Sequence, residues 1–218
     1  MDRRGIKAVR RGGRPSRADA LRLRERILEV ATELFLAQGY GSTTIEAVAA
    51  QAGISKRTLY HRFDDKAALF AAVVRAIIDK IRPAAGVPLI EGATLHDVLR
   101  RLAGMILHAA LSPQAMALHR LVSAESSRFP ELARAVSRDG SRGEATTLIG
   151  GLLARELRDS KLKPENRAFA AEQFILMVVT LPQRRAMGFG TPMTIGELDA
   201  WADKTVSLFL NGCRGWNV

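Results

Sequence analysis

The sequence has few of the residues that crosslink small domains or favour β-strands. Its single cysteine, Cys213, cannot form a disulfide within the chain, and no Cys and His residues are spaced as zinc ligands. Aromatic residues make up 6% of the chain, and no segment alternates apolar and polar residues with the period of a strand. Because alanine, leucine and arginine are abundant instead, we predict an all-α fold, and the lone cysteine fits the reducing cytoplasm.

Membrane-spanning runs and catalytic motifs are also missing from the sequence. The apolar run from Phe174 to Val179 is far too short to span a bilayer, and the basic N-terminus is not followed by the apolar segment of a secretion signal. There is no nucleophile motif, phosphate-binding loop or metal-ligand set. We therefore expect no membrane partner, no cofactor and no enzymatic activity.

Positive charge is in excess and is concentrated at the N-terminus. The formal net charge is +11, and residues 1–17 hold seven Lys and Arg residues against one acid, Asp2. Such a surplus indicates a polyanionic partner, because basic surfaces accumulate phosphates. We predict that residues 1–17 form a disordered arm, either as a solubilising tail or as added affinity for phosphates or the minor groove.

The spacing of apolar residues predicts a chain of helices separated by glycine, proline and capping residues. We expect helices over residues 18–38, 44–52, 55–62, 65–82, 94–111, 113–121, a short one after Pro130, 144–158, 164–187 and 194–211. Either Thr43 or Thr44 can cap the second helix, and either Asp64 or Asp65 the fourth. The interval 83–92 is predicted to be a linker. The prediction is thus a three-helix head with a helix-turn-helix (residues 18–64), joined by the fourth helix to a larger helical body (residues 65–218).

The most informative segment runs from Thr44 to Phe63. Ala49 is small where two crossing helices approach, and Gly53 can adopt the positive φ of a tight turn. At about 100° per residue, Leu59 and Phe63 share one face of the following helix. The opposite face carries basic and aromatic residues, namely Lys56, Arg57, Tyr60 and His61. This pattern predicts a helix whose free face enters the major groove of DNA.

The side chains of this segment suggest how DNA is contacted. Arg57 can pair with guanine O6 and N7, and His61 can reach a base or a phosphate. Phosphate contacts are predicted for Lys66, at the start of the next helix, and for Thr43, Thr44, Lys56 and Tyr60. Ser55 and Thr58 complete the predicted DNA-binding set.

Residues 24–70 resemble the DNA-binding domain of the TetR family almost throughout. The resemblance is carried by RERILEVATELF, TTIEAVA, AGISKRTLYHRF and DDKAALF. It implies that Thr44, Lys56, Tyr60 and Lys66 touch phosphates and that the start of the third helix reads bases. Arg57 departs from the pattern, since many relatives have a small residue there, and base reading here should depend more on a long cationic side chain.

The body resembles the AcrR/AefR-like branch of that family, through residues 118–135 and 171–188. Between Phe174 and Leu181 only Thr180 is polar, so that helix needs neighbours on two sides. A partner subunit can cover one side, and this arrangement implies a homodimer and a palindromic operator. The predicted interface consists of Phe174, Val178, Leu181, Leu198, Trp201, Thr205 and Leu208. The alternative is burial within one monomeric bundle.

The resemblance further implies that the body binds a small effector, apolar or amphipathic, whose binding releases DNA. Polar or adaptable side chains on apolar helix faces are the candidate pocket: Met105, His108, Met116, His119, Gln173 and Met177. The predicted function is a ligand-responsive regulator of transcription, a repressor rather than an activator. The alternatives are a helical enzyme or carrier with a vestigial head, and a protein that binds DNA without sequence preference.

Overall fold

The computed structural model describes residues 16–82, 94–139, 142–156 and 162–215. These residues form ten α-helices and a 3₁₀ turn, with no strand among them. The helices are α1 (Arg17–Gln38), α2 (Ile45–Gln51), α3 (Lys56–Tyr60), α4 (Lys66–Ile81), α5 (Leu95–Ala110), α6 (Pro113–Glu125), α7 (Pro130–Asp139), α8 (Arg142–Glu156), α9 (Arg167–Ala186) and α10 (Ile195–Gly215). The all-α prediction is confirmed. The predicted linker, and the predicted arm apart from Ser16 and Arg17, lie outside the described residues.

Side-chain caps explain where most of the helices begin. Thr44, Ser55 and Thr94 each accept a hydrogen bond from the backbone N–H three residues later, at the starts of α2, α3 and α5. At α1, Ser16 and Asp19 form a reciprocal capping box. Helix ends were predicted less well, because α3 ends at Tyr60 and α6 continues to Glu125.

The core of the head is apolar and continues into the body. Ile27, Phe35, Val48 and Leu59 are fully buried, and the cluster extends along α4 to include Phe70 and residues of α6 and α7. The apolar core therefore continues across the predicted boundary after residue 64. The head thus packs directly against α4, α6 and α7 of the body.

A second core lies among α5, α8, α9 and α10. It contains Leu99, Leu153, Phe174 and Val206, all fully buried, with the rings of Phe174 and Phe209 5.0 Å apart between centroids. Each large apolar side chain buried in this way contributes about 1.5–3 kcal/mol. This core includes Phe174 and Val178, two residues that the sequence assigned to a subunit interface.

Candidate nucleic-acid interface

The turn between α2 and α3 has the geometry that the sequence predicts. Gly53 has a φ of +69°, and Ala49 is buried where α2 meets the rest of the head. The backbone N–H of Ile54 donates to the carbonyl of Ala49 over 3.0 Å, which closes the turn. A side chain at position 53 would be strained in this left-handed region, so glycine is required by the turn itself.

The third helix, α3, is held by one face and free on the other. Leu59 and Phe63 are buried in the head core, as predicted. Lys56, Arg57, Tyr60 and His61 are all exposed, so the structure brings the predicted base-reading and phosphate-binding side chains onto one surface. A guanidinium, an ammonium, a phenol and an imidazole on one free helix face match the donors that DNA edges and phosphates accept.

An acid that the sequence reasoning missed lies on this surface. The Lys56 ammonium forms an ion pair with the carboxylate of Glu46, on α2, and lies 5.7 Å from the Tyr60 ring centroid. The hydrogen bond with Lys56 lowers the pKa of Glu46, and the same bond raises the pKa of Lys56. Glu46 therefore competes with a DNA phosphate for Lys56. The two residues are ten apart in different helices, so no local spacing signals the pair.

Thr43 does not face DNA, contrary to the prediction. It is only 1% exposed, and its hydroxyl points at the carbonyls of Gly39 and Leu34, at 2.7 and 3.2 Å. Its neighbour Thr44 is exposed, and its hydroxyl oxygen caps α2 as an acceptor, which leaves the O–H able to donate. The Ser55 oxygen caps α3 and lies 2.8 Å from the half-buried Thr58 hydroxyl.

Lys66 is drawn back toward the head. Its ammonium lies 4.3 Å from the centroid of the Tyr40 ring and donates to the carbonyl of Gly41 over 3.4 Å. Partial burial lowers the pKa of Lys66, and the nearby carboxylates of Glu125 and Glu131 oppose that shift. The Lys66 ammonium thus already has partners in the head, and its phosphate contact stays a prediction.

A cavity of about 900 Å³, partly open to solvent, lies between α4, α5, α6, α7, α8 and α9. Of the six predicted pocket residues, Met105 and His119 line it. Met116 is buried in packing, His108 is exposed, and Gln173 and Met177 lie on other faces of α9, so these four predictions are not supported. The α9 wall consists instead of Glu172, Ile175, Val179 and Gln183.

The predicted interface residues fall into two groups. Phe174, Val178 and Thr205 are buried by their own subunit and are not available to a partner. Leu181, Leu198 and Trp201 are half-buried, and Leu208 is 66% exposed. Ile195 and Phe189, which are not in the predicted interface set, are also exposed, at 81% and 72%. The uncovered apolar side chains thus lie on α10 and in the segment between α9 and α10, while Phe174 and Val178 of α9 are covered.

Two family models match the chain. Residues 27–73 match the bacterial regulatory proteins of the tetR family, and residues 97–212 match the C-terminal domain of AefR-like transcriptional repressors. The second match covers more than half of the chain. The chain belongs to the TetR family. It is therefore a DNA-binding transcriptional regulator with a helix-turn-helix head and a helical body.

Individual TetR-family proteins are similar over most of the chain. The regulator UidR of Escherichia coli strain K12 is 28% identical over 142 residues, which cover 65% of this chain and 68% of UidR. The repressor BepR of Brucella suis biovar 1 is 25% identical over 173 residues, which cover 76% of this chain and 81% of BepR. The solved structure of the flavonoid-responsive regulator FrrA has a TM-score of 0.72 and 29% identity, covering 90% of this chain and 99% of FrrA.

Two other features are absent from the described residues. None of their helices is both long and apolar enough to cross a membrane. In the same part of the chain, no three His, Cys, Asp or Glu residues are grouped as metal ligands.

Proposed function

We propose that this TetR-family chain represses transcription in the cytoplasm by binding a palindromic operator as a homodimer, with α3 of each subunit in the major groove. The observation that carries the proposal is the free face of α3. Leu59 anchors the helix in the core while Arg57 and its neighbours remain exposed. A dimer seated on a promoter excludes polymerase by occupancy alone, which favours repression.

Selection of binding sites from random-sequence DNA tests the operator claim. The chain should enrich a palindrome, and Arg57→Ala should reduce discrimination at one base pair in each half-site by about 1–3 kcal/mol. Arg100→Ala, which removes an exposed arginine from α5, is the matched control and should leave site choice unchanged. Enrichment of unrelated sequences would identify a non-specific DNA-binding protein, and no binding at all would favour a carrier or enzyme.

Uncovered apolar side chains on α9 and α10 support the homodimer. Leu208 and Ile195 of α10 are exposed, and Leu181 of α9 and Leu198 of α10 are half-buried. A two-fold interface of these helices would bury them. Leu208→Glu should shift the sedimenting species toward monomer, whereas Leu21→Glu, at an exposed leucine of α1, should not. A parent chain that sediments as a monomer at micromolar concentration would contradict the proposal.

The cavity supports an amphipathic effector. Aliphatic side chains make up much of its wall, with His119, Thr146 and Gln183 among the uncharged polar groups. Charged side chains also line it, namely Arg82, Arg142, Glu144 and Glu172. FrrA responds to flavonoids, which are flat molecules with a few hydroxyl groups on an apolar frame, and we propose this class as the first to test. Calorimetric titration with a flavonoid panel should show binding that weakens in Met105→Trp, which narrows the cavity. Binding that is equal in both proteins would place the ligand elsewhere.

A further inference from the structure

Besides the shared apolar core, one carboxylate of the body holds a loop of the head. Glu125, the last residue of α6, accepts hydrogen bonds from the backbone N–H groups of Tyr40 and Gly41, over 2.9 and 2.8 Å. Each amide uses a different oxygen of the carboxylate. Hydrogen bonds to an ionised acceptor are roughly twice as strong as neutral ones, so this pair fixes the loop between α1 and α2 against α6.

Glu125 and Phe129 pack closely against the loop between α1 and α2. Gly39 has a φ of +87°, and a Cβ there would lie 2.5 Å from Oε1 of Glu125. A Cβ on Gly41 would lie 3.1 Å from the Phe129 ring. The ring of Tyr40 packs on Phe129 at 5.1 Å between centroids. The end of α6 and the start of α7 therefore enclose the loop from which α2 begins.

The same body helix that holds this loop also lines the cavity. Leu118, His119 and Val122 of α6 contribute to the cavity wall, and Val122 is one turn before Glu125. Because a helix moves as a rigid rod over one turn, a displacement of α6 at Val122 moves the Glu125 carboxylate with it. Interior packing is not continuously deformable, so the loop must follow the carboxylate or lose its two hydrogen bonds.

We propose that Glu125 is the positioning residue that sets the orientation of the helix-turn-helix, and that displacement of α6 reaches the head through its two hydrogen bonds. This inference rests on the proposed function as a ligand-responsive DNA-binding protein. Glu125 touches neither DNA nor the cavity in this role. It acts by holding the residues that precede Thr44, the cap of α2.

Amide hydrogen exchange tests the holding role without DNA or effector. Glu125→Gln keeps the size of the side chain but replaces one acceptor oxygen with an NH₂ donor, which cannot bind a backbone N–H. The amides of Tyr40 and Gly41 should exchange roughly tenfold faster or more. Ser123→Ala, an exposed change on the same helix, should leave them unchanged. Unchanged exchange in Glu125→Gln would overturn the proposal.

A double-mutant cycle tests whether a displacement of α6 reaches the head through Glu125. Ala115→Trp pushes on α6 from within the cavity, and Val122→Phe is a milder substitute if the first variant does not fold. In the parent, either should weaken binding to the selected DNA, roughly 5- to 150-fold as in other coupled systems. In the Glu125→Gln background the same substitution should have a much smaller effect. Equal effects in both backgrounds would show that α6 reaches the head by another route, and would overturn the proposal.

The two proposals fail in different ways. If the parent chain enriches no DNA sequence, the proposed function is wrong, while the exchange of Tyr40 and Gly41 still tests the fastening role of Glu125. If the parent binds a palindrome and Glu125→Gln changes neither amide exchange nor DNA affinity, the proposed function stands and the inference about Glu125 fails.

Discussion

The indole Nε1 of Trp201 donates a 2.9 Å hydrogen bond to the backbone carbonyl of Val178. That carbonyl lies four residues before Pro182, which is inside α9 and has no N–H to offer it. A side chain of α10 thus satisfies the acceptor that proline leaves free in α9. Because both groups are at least partly buried, the pairing stabilises the contact between the two helices from which we expect the dimer to form.

Trp201→Phe should lower the free energy of unfolding by about 1–3 kcal/mol, because it leaves a buried carbonyl without a donor. Pro182→Ala restores a backbone N–H that can bond to Val178. The cost of Trp201→Phe should therefore be smaller in the Pro182→Ala background. Urea unfolding at one fixed protein concentration measures all four variants. An equal cost in both backgrounds would mean that the lost ring volume, not the hydrogen bond, accounts for it.

Glu46→Gln should strengthen binding to both selected and random DNA. The substitution releases Lys56 from its ion pair, so the ammonium can neutralise a phosphate without a competing carboxylate beside it. The plot of log affinity against log salt should steepen by up to about 0.9, the contribution of one phosphate contact. Fluorescence anisotropy over a range of salt concentrations measures both the affinity and this slope.

Two further variants make that experiment specific. Glu165→Gln removes an exposed acid from the body and should change neither affinity nor slope. Adding Lys56→Ala to Glu46→Gln should abolish the gain. Weaker binding by Glu46→Gln would instead indicate that the carboxylate accepts a hydrogen bond from a DNA base.

Helix starts were predictable because capping is local. Ser55 and Thr94 cap the N–H three residues ahead of them, and this spacing is visible in the sequence. Two adjacent threonines, Thr43 and Thr44, left the choice of cap open, and the structure shows that the one that is not the cap turns into the core. Both faces of α3 followed from periodicity once Leu59 was placed inward.

The pocket and the fastening of the head depend on contacts that periodicity does not encode. Because α9 is apolar nearly all round, a helical wheel does not show which face lines a cavity, and the prediction chose Gln173 and Met177 instead of Ile175 and Val179. The end of α6 was placed at residue 121 for a similar reason. Glu125 belongs to α6 and accepts hydrogen bonds from the loop between α1 and α2, more than eighty residues earlier in the chain.

Two glycine substitutions should have opposite effects on stability. Gly53→Ala places a side chain at a φ of +69° and should lower the free energy of unfolding by about 1 kcal/mol. Gly151→Ala, in the exposed face of α8 with nothing within 4 Å of the new Cβ, should raise it by about 0.5–1 kcal/mol. Urea unfolding distinguishes them. If Gly53→Ala left the free energy of unfolding unchanged, the turn would have to relax to a negative φ in solution.

Alkaline pH should destabilise the head through Tyr40. Burial raises the pKa of its phenol above the usual value, and the charge of Glu131 and a hydrogen bond to that carboxylate raise it further. The folded state therefore keeps the proton at a pH where the unfolded chain releases it. The stability contributed by the neutral phenol is complete below pH of about 10, the pKa of an unfolded tyrosine, and is lost as the pH rises beyond it.

Tyr40→Phe isolates this effect. At pH 8 the variant should be less stable than the parent, because it loses the hydrogen bond to Glu131. Above pH of about 10 the parent should lose stability more steeply than the variant, so the difference between them narrows. Tyr60→Phe, in the other tyrosine of the chain, is the control and should follow the parent, since Tyr40 remains in place. A gap between Tyr40→Phe and the parent that stays constant from pH 8 to pH 11 would show that Tyr40 does not keep its proton in the folded state.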